Sequence, residues 1–310
     1  MRLLDNTGDY RADGVTASAV TIGVFDGVHV GHRAIMRECV REARLRGVPS
    51  AALTFDRNPR KLICGEEPCV LTERKRKIRI IAEQGLDCLL IVKFDEAFAS
   101  VEPEDFCSAV LAKDLGAELV CIGENFHFGK GGRGDASMLE TLGAELGFDV
   151  LVVPLMKVDG EYISSTLIRK RISDGKVSEV VGGLGRPYSL RGKVVEGHKR
   201  GKTMGFPTAN VRPERAFCIP KDGVYAGKTV LGDRKYPCAI NIGSNPTFDD
   251  VETAVEVFLI DFGGEIYGES LEVEFHHRLR DEVKFSSSEA LAAQMRRDVE
   301  EARDLMSASD

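Results

Sequence analysis

Apolar residues in the first half of the chain follow two alternating rhythms. Continuous apolar runs at Val20 to Phe25, Ala51 to Phe55, Leu89 to Phe94, Leu119 to Gly123 and Val150 to Pro154 read as buried strands. Between them, apolar positions return every three or four residues. Arg33 to Arg46 carries such a stripe at Ile35, Met36, Cys39, Val40 and Ala43, and Gly47 and Pro49 end it. Glu73 to Gln84 carries another at Ile78, Ile80, Ile81 and Ala82, and Pro103 to Leu115 opens with residues that suit a first turn. Strands separated by helices of this length predict an α/β domain, a doubly wound, Rossmann-like sheet covered on both faces.

The texture changes at Gly182-Gly183-Leu184-Gly185-Arg186-Pro187. Beyond it come short β-like runs broken by Gly, Pro, Asn and Asp: Tyr188 to Glu196, Thr208 to Val211, Val224 to Leu231, Tyr236 to Ile242, Thr253 to Phe262 and Leu271 to Leu279. Their spacing predicts an all-β domain, a six-stranded antiparallel barrel. A final helix with the stripe Leu291, Met295, Val299, Ala302 and Met306 should seal one side, its start marked by Ser286 and Glu289 in capping-box spacing. The expectation is two domains, residues 1–183 and 184–310.

A length of 310 residues allows two sizeable cores, and 43% hydrophobic with 29% charged residues is ordinary for a globular chain. A formal charge of −7 argues against a broad grip on nucleic acid, while leaving room for a local basic pocket. No apolar run has the length of a membrane span, and Met1-Arg2-Leu3-Leu4-Asp5-Asn6 lacks a signal-peptide core. A cytoplasmic protein with no membrane or nucleic-acid partner is expected; self-association is not readable. The eight cysteines are scattered without a CxxC pair, so buried reduced thiols are expected rather than zinc or structural disulfides.

The candidate chemistry begins at Gly23-Val24-Phe25-Asp26-Gly27-Val28-His29-Val30-Gly31-His32, which joins a strand to a helix N-terminus. Unpaired N–H groups and the positive dipole end suit phosphate there, and two imidazoles three residues apart add donors. A metal half-site would need a third ligand nearby, which this stretch does not supply. Ile163-Ser164-Ser165-Thr166-Leu167-Ile168-Arg169 puts hydroxyls ahead of a basic helix, a second phosphate-binding pattern. Gly129 to Gly134 matches GxGxxG but falls late in the sheet, so it reads as a basic loop over a nucleotide or flavin. Gly201-Lys202-Thr203 resembles the end of a P-loop, yet the earlier glycine is displaced and Pro207 blocks the helix. His276 and His277 are adjacent on a strand and face opposite ways.

Taken together, "GVFDGVHVGH", "TFDRNP", "GENFHFGKGGRGD" and "ISSTLIRKRI" in the first half resemble the bacterial bifunctional riboflavin kinase/FAD synthetase family. "GLGRPYSLRGKVVEGHKRGKTMGFPTANV", "GVYAG", "INIGSNPTF", "VEVFLIDF" and "LRDEVKF" extend the resemblance through the second. It implies phosphorylation of riboflavin to FMN by ATP in the barrel, then adenylylation of FMN to FAD with release of pyrophosphate in the first domain. Retention of one activity alone, the kinase before the other, is an alternative; so is a non-catalytic flavin-binding protein.

By resemblance, His29, His32 and Arg169 act on the phosphates of the adenylylation site. Gly23, Phe25, Asp26, Gly27, Gly31, Ser164, Ser165 and Thr166 contact ATP there, with Asp26 open between turn acid, nucleotide contact and Mg²⁺ contact. Asn58, Asn125 and Phe128 are the flavin candidates, the last equally readable as core. In the barrel, Gly201, Lys202, Gly205, Pro207 and Thr208 would bind ATP, and Thr208 with Asn210 would hold Mg²⁺. Glu256 matches the general base, and Arg280, Glu282 and Phe285 the flavin-side segment. Alternation alone leaves Glu256 either in a cavity or on an outward strand face. The family's usual Phe-Asp-Pro-His-Pro run reads Phe55-Asp56-Arg57-Asn58-Pro59 here.

Overall fold

The computed structural model describes the chain except residues 13, 197–205, 214–215, 233, 247–250 and 309–310. Packing divides it into two compact units, Met1–Pro68 with Arg74–Ser164, and Cys69–Glu73 with Ser165–Asp310.

In the first unit, strands β1 (Arg2–Leu4), β2 (Ser18–Ile22), β3 (Ser50–Phe55), β4 (Cys88–Val92), β5 (Ala117–Gly123) and β6 (Asp149–Val153) form one sheet in the order β1-β4-β3-β2-β5-β6. All neighbours are parallel. β2 is buried along its whole length, as a strand covered on both faces must be. Alternate residues feed two cores. Ala19, Ala52, Leu89 and Cys121 pack against Met36, Cys39, Val40 and Ala43 of the helix Val30–Arg46 and Ile80 and Ile81 of the helix Arg74–Ala82. Val20, Leu53, Leu90 and Ile122 face Phe106 and Leu111 on one helix and Leu139 on another. Chain order runs outward from β2 to β4 on one side and resumes at β5 on the other. The topological switch point therefore lies between β2 and β5, where open α/β sheets bind ligands.

Two features differ from expectation. β1 adds a sixth parallel strand that three residues, two of them polar or exposed, do not announce. The helix expected over 103–115 is α-helical only at Pro103–Asp105 and continues as a wider π-helix over Phe106–Asp114. A two-stranded ribbon, β7 (Lys157–Val158) and β8 (Glu161–Tyr162), follows β6.

In the second unit, β9 (Tyr188–Val195), β10 (Ala209–Pro213), β11 (Gly223–Leu231), β12 (Arg234–Pro246), β13 (Val251–Leu259) and β14 (Ser270–Arg280) close into an antiparallel barrel, ordered β10-β13-β12-β11-β14-β9. Leu190, Val211, Tyr225, Ile240, Val257 and Phe275 are among its buried residues. On the outside, Ala226, Ala239, Phe258 and Ile260 pack under Val299, Ala302 and Met306 of the last helix, Ser288–Ser307. That helix is capped by Ser287, whose Oγ accepts from Ala290 N at 3.2 Å. The cap falls one residue later than the Ser286–Glu289 spacing implied.

The expectation of uniformly reduced thiols is corrected at one place: Cys69 and Cys218 form a disulfide, their Cα atoms 4.9 Å apart. A parallel bridge between Val70 and Phe217 brings the two segments together. A pairing across 149 residues leaves no mark in local spacing. Cys39, Cys88, Cys107, Cys121 and Cys238 are buried free thiols, and Cys64 is exposed. Among the described residues, no cluster of three His, Cys, Asp or Glu could hold a metal. No helix among them is long and apolar enough to cross a membrane.

Candidate active sites

The turn from β2 to the helix Val30–Arg46 leaves the sheet at the switch point. It is tightly wound: Phe25 and Val28 have φ of 49° and 39°, a region that costs a non-glycine residue about 1–3 kcal/mol. Both side chains are buried, so core packing helps to hold the strain. Gly27 sits between them at φ 84°, where a Cβ would add more. Gly23 and Gly31 are small for another reason: a Cβ would lie 2.7 Å from the Phe25 ring at the first and 3.2 Å from the His29 ring at the second.

His29 caps the helix, its Nδ1 accepting from His32 N at 3.3 Å. That bond assigns the proton to Nε2, leaving it as the donor. The imidazoles of His29 and His32 stack at 3.5 Å, and Phe25 meets His32 edge-on at 5.3 Å. His32 Nδ1 is buried without a hydrogen-bond partner. Burial first, then the neighbouring His29 and the Lys77 cation, holds the His32 pKa well below the usual 6.5. The pair is thus neutral at His32 and aimed from a helix N-terminus. Asp26 is half-buried in the same turn.

The other first-unit candidates spread along the C-terminal ends of the strands. Asn125 is exposed just past β5. Phe128 lies in the core, 5.7 Å from Phe106 and stacked on Phe126 at 5.6 Å. Asn58, beyond β3, accepts from Arg60 N at 3.1 Å through Oδ1. Beside it, Asp56 Oδ1 accepts from Phe94 N at 2.9 Å. In the glycine-rich loop, Lys130 and Arg133 both pair with Glu102, at 3.1 and 2.6 Å. Ser164 is the last residue of this unit.

Ser165 opens a helix, Ser165–Ser173, that packs with the second unit, with Thr166 exposed on its first turn. Arg169 donates from Nε to Cys69 O at 2.8 Å, so the disulfide-linked segment helps to set its guanidinium.

Strand register builds the barrel site. Val255, Val257 and Leu259 are buried, and the intervening Glu256 and Phe258 project to the opposite, outer face. Asn210 lies directly across from Glu256 on β10, and Asn241 directly across on β12. Opposed side chains on one face stand about 4.5–5.5 Å apart at Cβ. Glu256 therefore stands between two amides, and Asn241, within "INIGSNPTF", gains its significance only from this cross-strand register. Phe206 packs edge-on against Phe258 at 5.4 Å, fastening the segment with Pro207 and Thr208 to the same face. Gly201, Lys202 and Gly205 lie outside the described residues.

Glu282 reaches this face too: a Cβ on Gly243 would be 2.7 Å from its Oε1. Arg280 forks onto the buried Asp298 of the last helix, with bonds of 3.0, 3.2 and 2.8 Å, and its guanidinium lies 5.8 Å from the Phe285 ring centre. Gln294 donates a further bond to Asp298 at 2.8 Å.

A phosphate-type turn on a doubly wound sheet, with a carboxylate and amides on a separate closed barrel, defines a two-unit transferase acting on nucleotide phosphates. The FAD synthetase family matches residues 13–167 and the riboflavin kinase family residues 184–306. The bifunctional riboflavin kinase/FMN adenylyltransferase of Escherichia coli K12 is 38% identical over 92% of this chain and 91% of its own length. The Listeria monocytogenes protein of the same description is 37% identical over 92% and 91%. A Streptococcus pneumoniae crystal structure, described as a macrolide-efflux protein, superposes with a TM-score of 0.87 at 31% identity over 98% of this chain and 99% of that one. The chain belongs to the bifunctional riboflavin kinase/FMN adenylyltransferase family.

Proposed function

We infer that the barrel phosphorylates riboflavin and the doubly wound unit adenylylates the resulting FMN, both in the cytoplasm and each at its own centre. In the first reaction the terminal ribityl hydroxyl oxygen attacks the γ-phosphorus of ATP, and the bond to the bridging oxygen breaks to release ADP. Glu256 accepts the hydroxyl proton; the amides of Asn210 and Asn241 hold its flanks. Thr208 and Asn210 offer uncharged oxygens of the kind Mg²⁺ takes when phosphate oxygens and water complete its shell. When bound, that ion neutralises phosphate charge. Glu282 borders the same face and, with Phe285, is assigned to the flavin side; Asp298 fixes Arg280, whose guanidinium lies near the Phe285 ring.

In the second reaction an FMN phosphate oxygen attacks the α-phosphorus of another ATP, and the bond to the β-phosphate oxygen breaks to release pyrophosphate. The His29 Nε2–H and the helix N-terminus meet the charge that grows on the phosphate oxygens. Within the same unit, Ser164 is assigned to the triphosphate, and Asn58 and Asn125 to FMN.

The observation that carries this reading is the register that sets Glu256 between Asn210 and Asn241. A surface acid on an idle barrel has no need of amides on both sides. Riboflavin, ATP and Mg²⁺ incubated with the protein should yield FMN and then FAD on chromatography. FMN accumulating without FAD would leave only the kinase, and tight flavin binding without ATP consumption would leave a binding protein.

A further inference from the structure

Lys77 lies on the helix Arg74–Ala82, inside a stretch whose sequence signals only an apolar stripe. Its ammonium does not extend to bulk water. Nζ donates to Val24 O at 2.5 Å and to Thr54 Oγ1 at 2.8 Å, and Thr54 Oγ1 itself donates to Val24 O at 3.1 Å. Thr54 is fully buried on β3. The Val24 carbonyl therefore accepts two donors, one of them charged, immediately before the strained residues Phe25 and Val28.

Such a strained turn persists only where its surroundings over-determine it, and this closed triangle does so from the sheet side. The charged neighbours are Asp26, which favours the ammonium, and Arg74, which opposes it. His32 lies close enough for the cation to disfavour imidazolium, and His29 adds to that effect. Burial pushes the Lys77 pKa down to about 8, with Asp26 pulling the other way, so the side chain keeps its charge at neutral pH.

We propose that Lys77 is a positioning residue for adenylyl transfer: its ammonium fixes the Val24 carbonyl, and through it the turn bearing His29 and His32, while adding a positive charge behind that pair. The proposal rests on the adenylylation reading of the first unit. The turn's geometry matters most when charge moves onto the phosphate oxygens, so Lys77 acts on the rate of transfer more than on ATP capture.

The test compares wild type with Lys77→Met, Lys77→Arg and Thr54→Val, each assayed for FMN to FAD and, in the same preparation, riboflavin to FMN. Lys77→Met should lower kcat for FAD formation at least 30-fold, with KM for ATP within 3-fold and riboflavin phosphorylation within 2-fold of wild type. Lys77→Arg, which keeps the charge, should recover to within 5-fold of wild type. Thr54→Val, which removes one leg of the triangle at constant shape, should fall 3- to 10-fold. Lys77→Met within 3-fold of wild-type kcat, or Lys77→Arg as impaired as Lys77→Met, would overturn the proposal. Should Lys77→Met not fold, an unimpaired Thr54→Val would overturn it and a selective loss of FAD formation would support it. A wild type that makes no FAD at all would instead remove the reading beneath the proposal.

Discussion

His32 is an imidazole whose surroundings oppose its charge, and that has a sign in the stability of the first unit. Its folded pKa lies well below the unfolded 6.5, so the unfolded chain binds the extra proton first. The stabilisation is fully present above pH 6.5 and is lost as pH falls below it. Melting of the first unit should decline through that window, and His32→Phe should flatten the decline; thermal scans from pH 8 to pH 5 measure both. At the other centre, Glu256→Gln keeps the shape and the flanking amides while removing the proposed base. It should lower riboflavin phosphorylation at least 100-fold, in line with the roughly 10²–10⁴ contributed by general-base groups, and leave FMN adenylylation unchanged. Product formation from each flavin separately is the measurement.

At the scale of elements, the last helix is tied to the barrel both by apolar packing and by the Arg280–Asp298 fork. Asp298→Ala would leave a half-buried guanidinium without its partner, at a cost of about 3 kcal/mol. Denaturant titration should locate that loss in the second unit, with riboflavin phosphorylation weakened because Arg280 and Phe285 lose their anchor. Loss of the Ser287 cap, by Ser287→Ala, should cost about 1 kcal/mol by the same titration.

The elements also mark what could be read from the chain. Strands β2 to β6 of the first unit and all six of the barrel were legible, because continuous apolar runs and alternation are local signals. β1 was not, since a three-residue edge strand owes its existence to β4 rather than to its own pattern. The imidazole turn was legible as a motif, but its stacked geometry came only with the strained φ angles. Lys77 and Asn241 escaped because each matters through a partner on another element. The Cys69–Cys218 bond escaped for the same reason.

For the whole molecule, the central claim is that two independent centres share one polypeptide and work in sequence. Riboflavin, ATP and Mg²⁺ should give FMN at about a hundredth of the wild-type rate or less with Glu256→Gln, and FMN without FAD with His29→Ala.

The most direct measurement mixes the two variants. Glu256→Gln retains the centre that converts FMN, and His29→Ala retains the centre that makes it, so the mixture should form FAD from riboflavin at least 30-fold faster than either variant alone. If the mixture forms none while both chains remain folded, or if either substitution stops both reactions, the division of chemistry between the two units is contradicted.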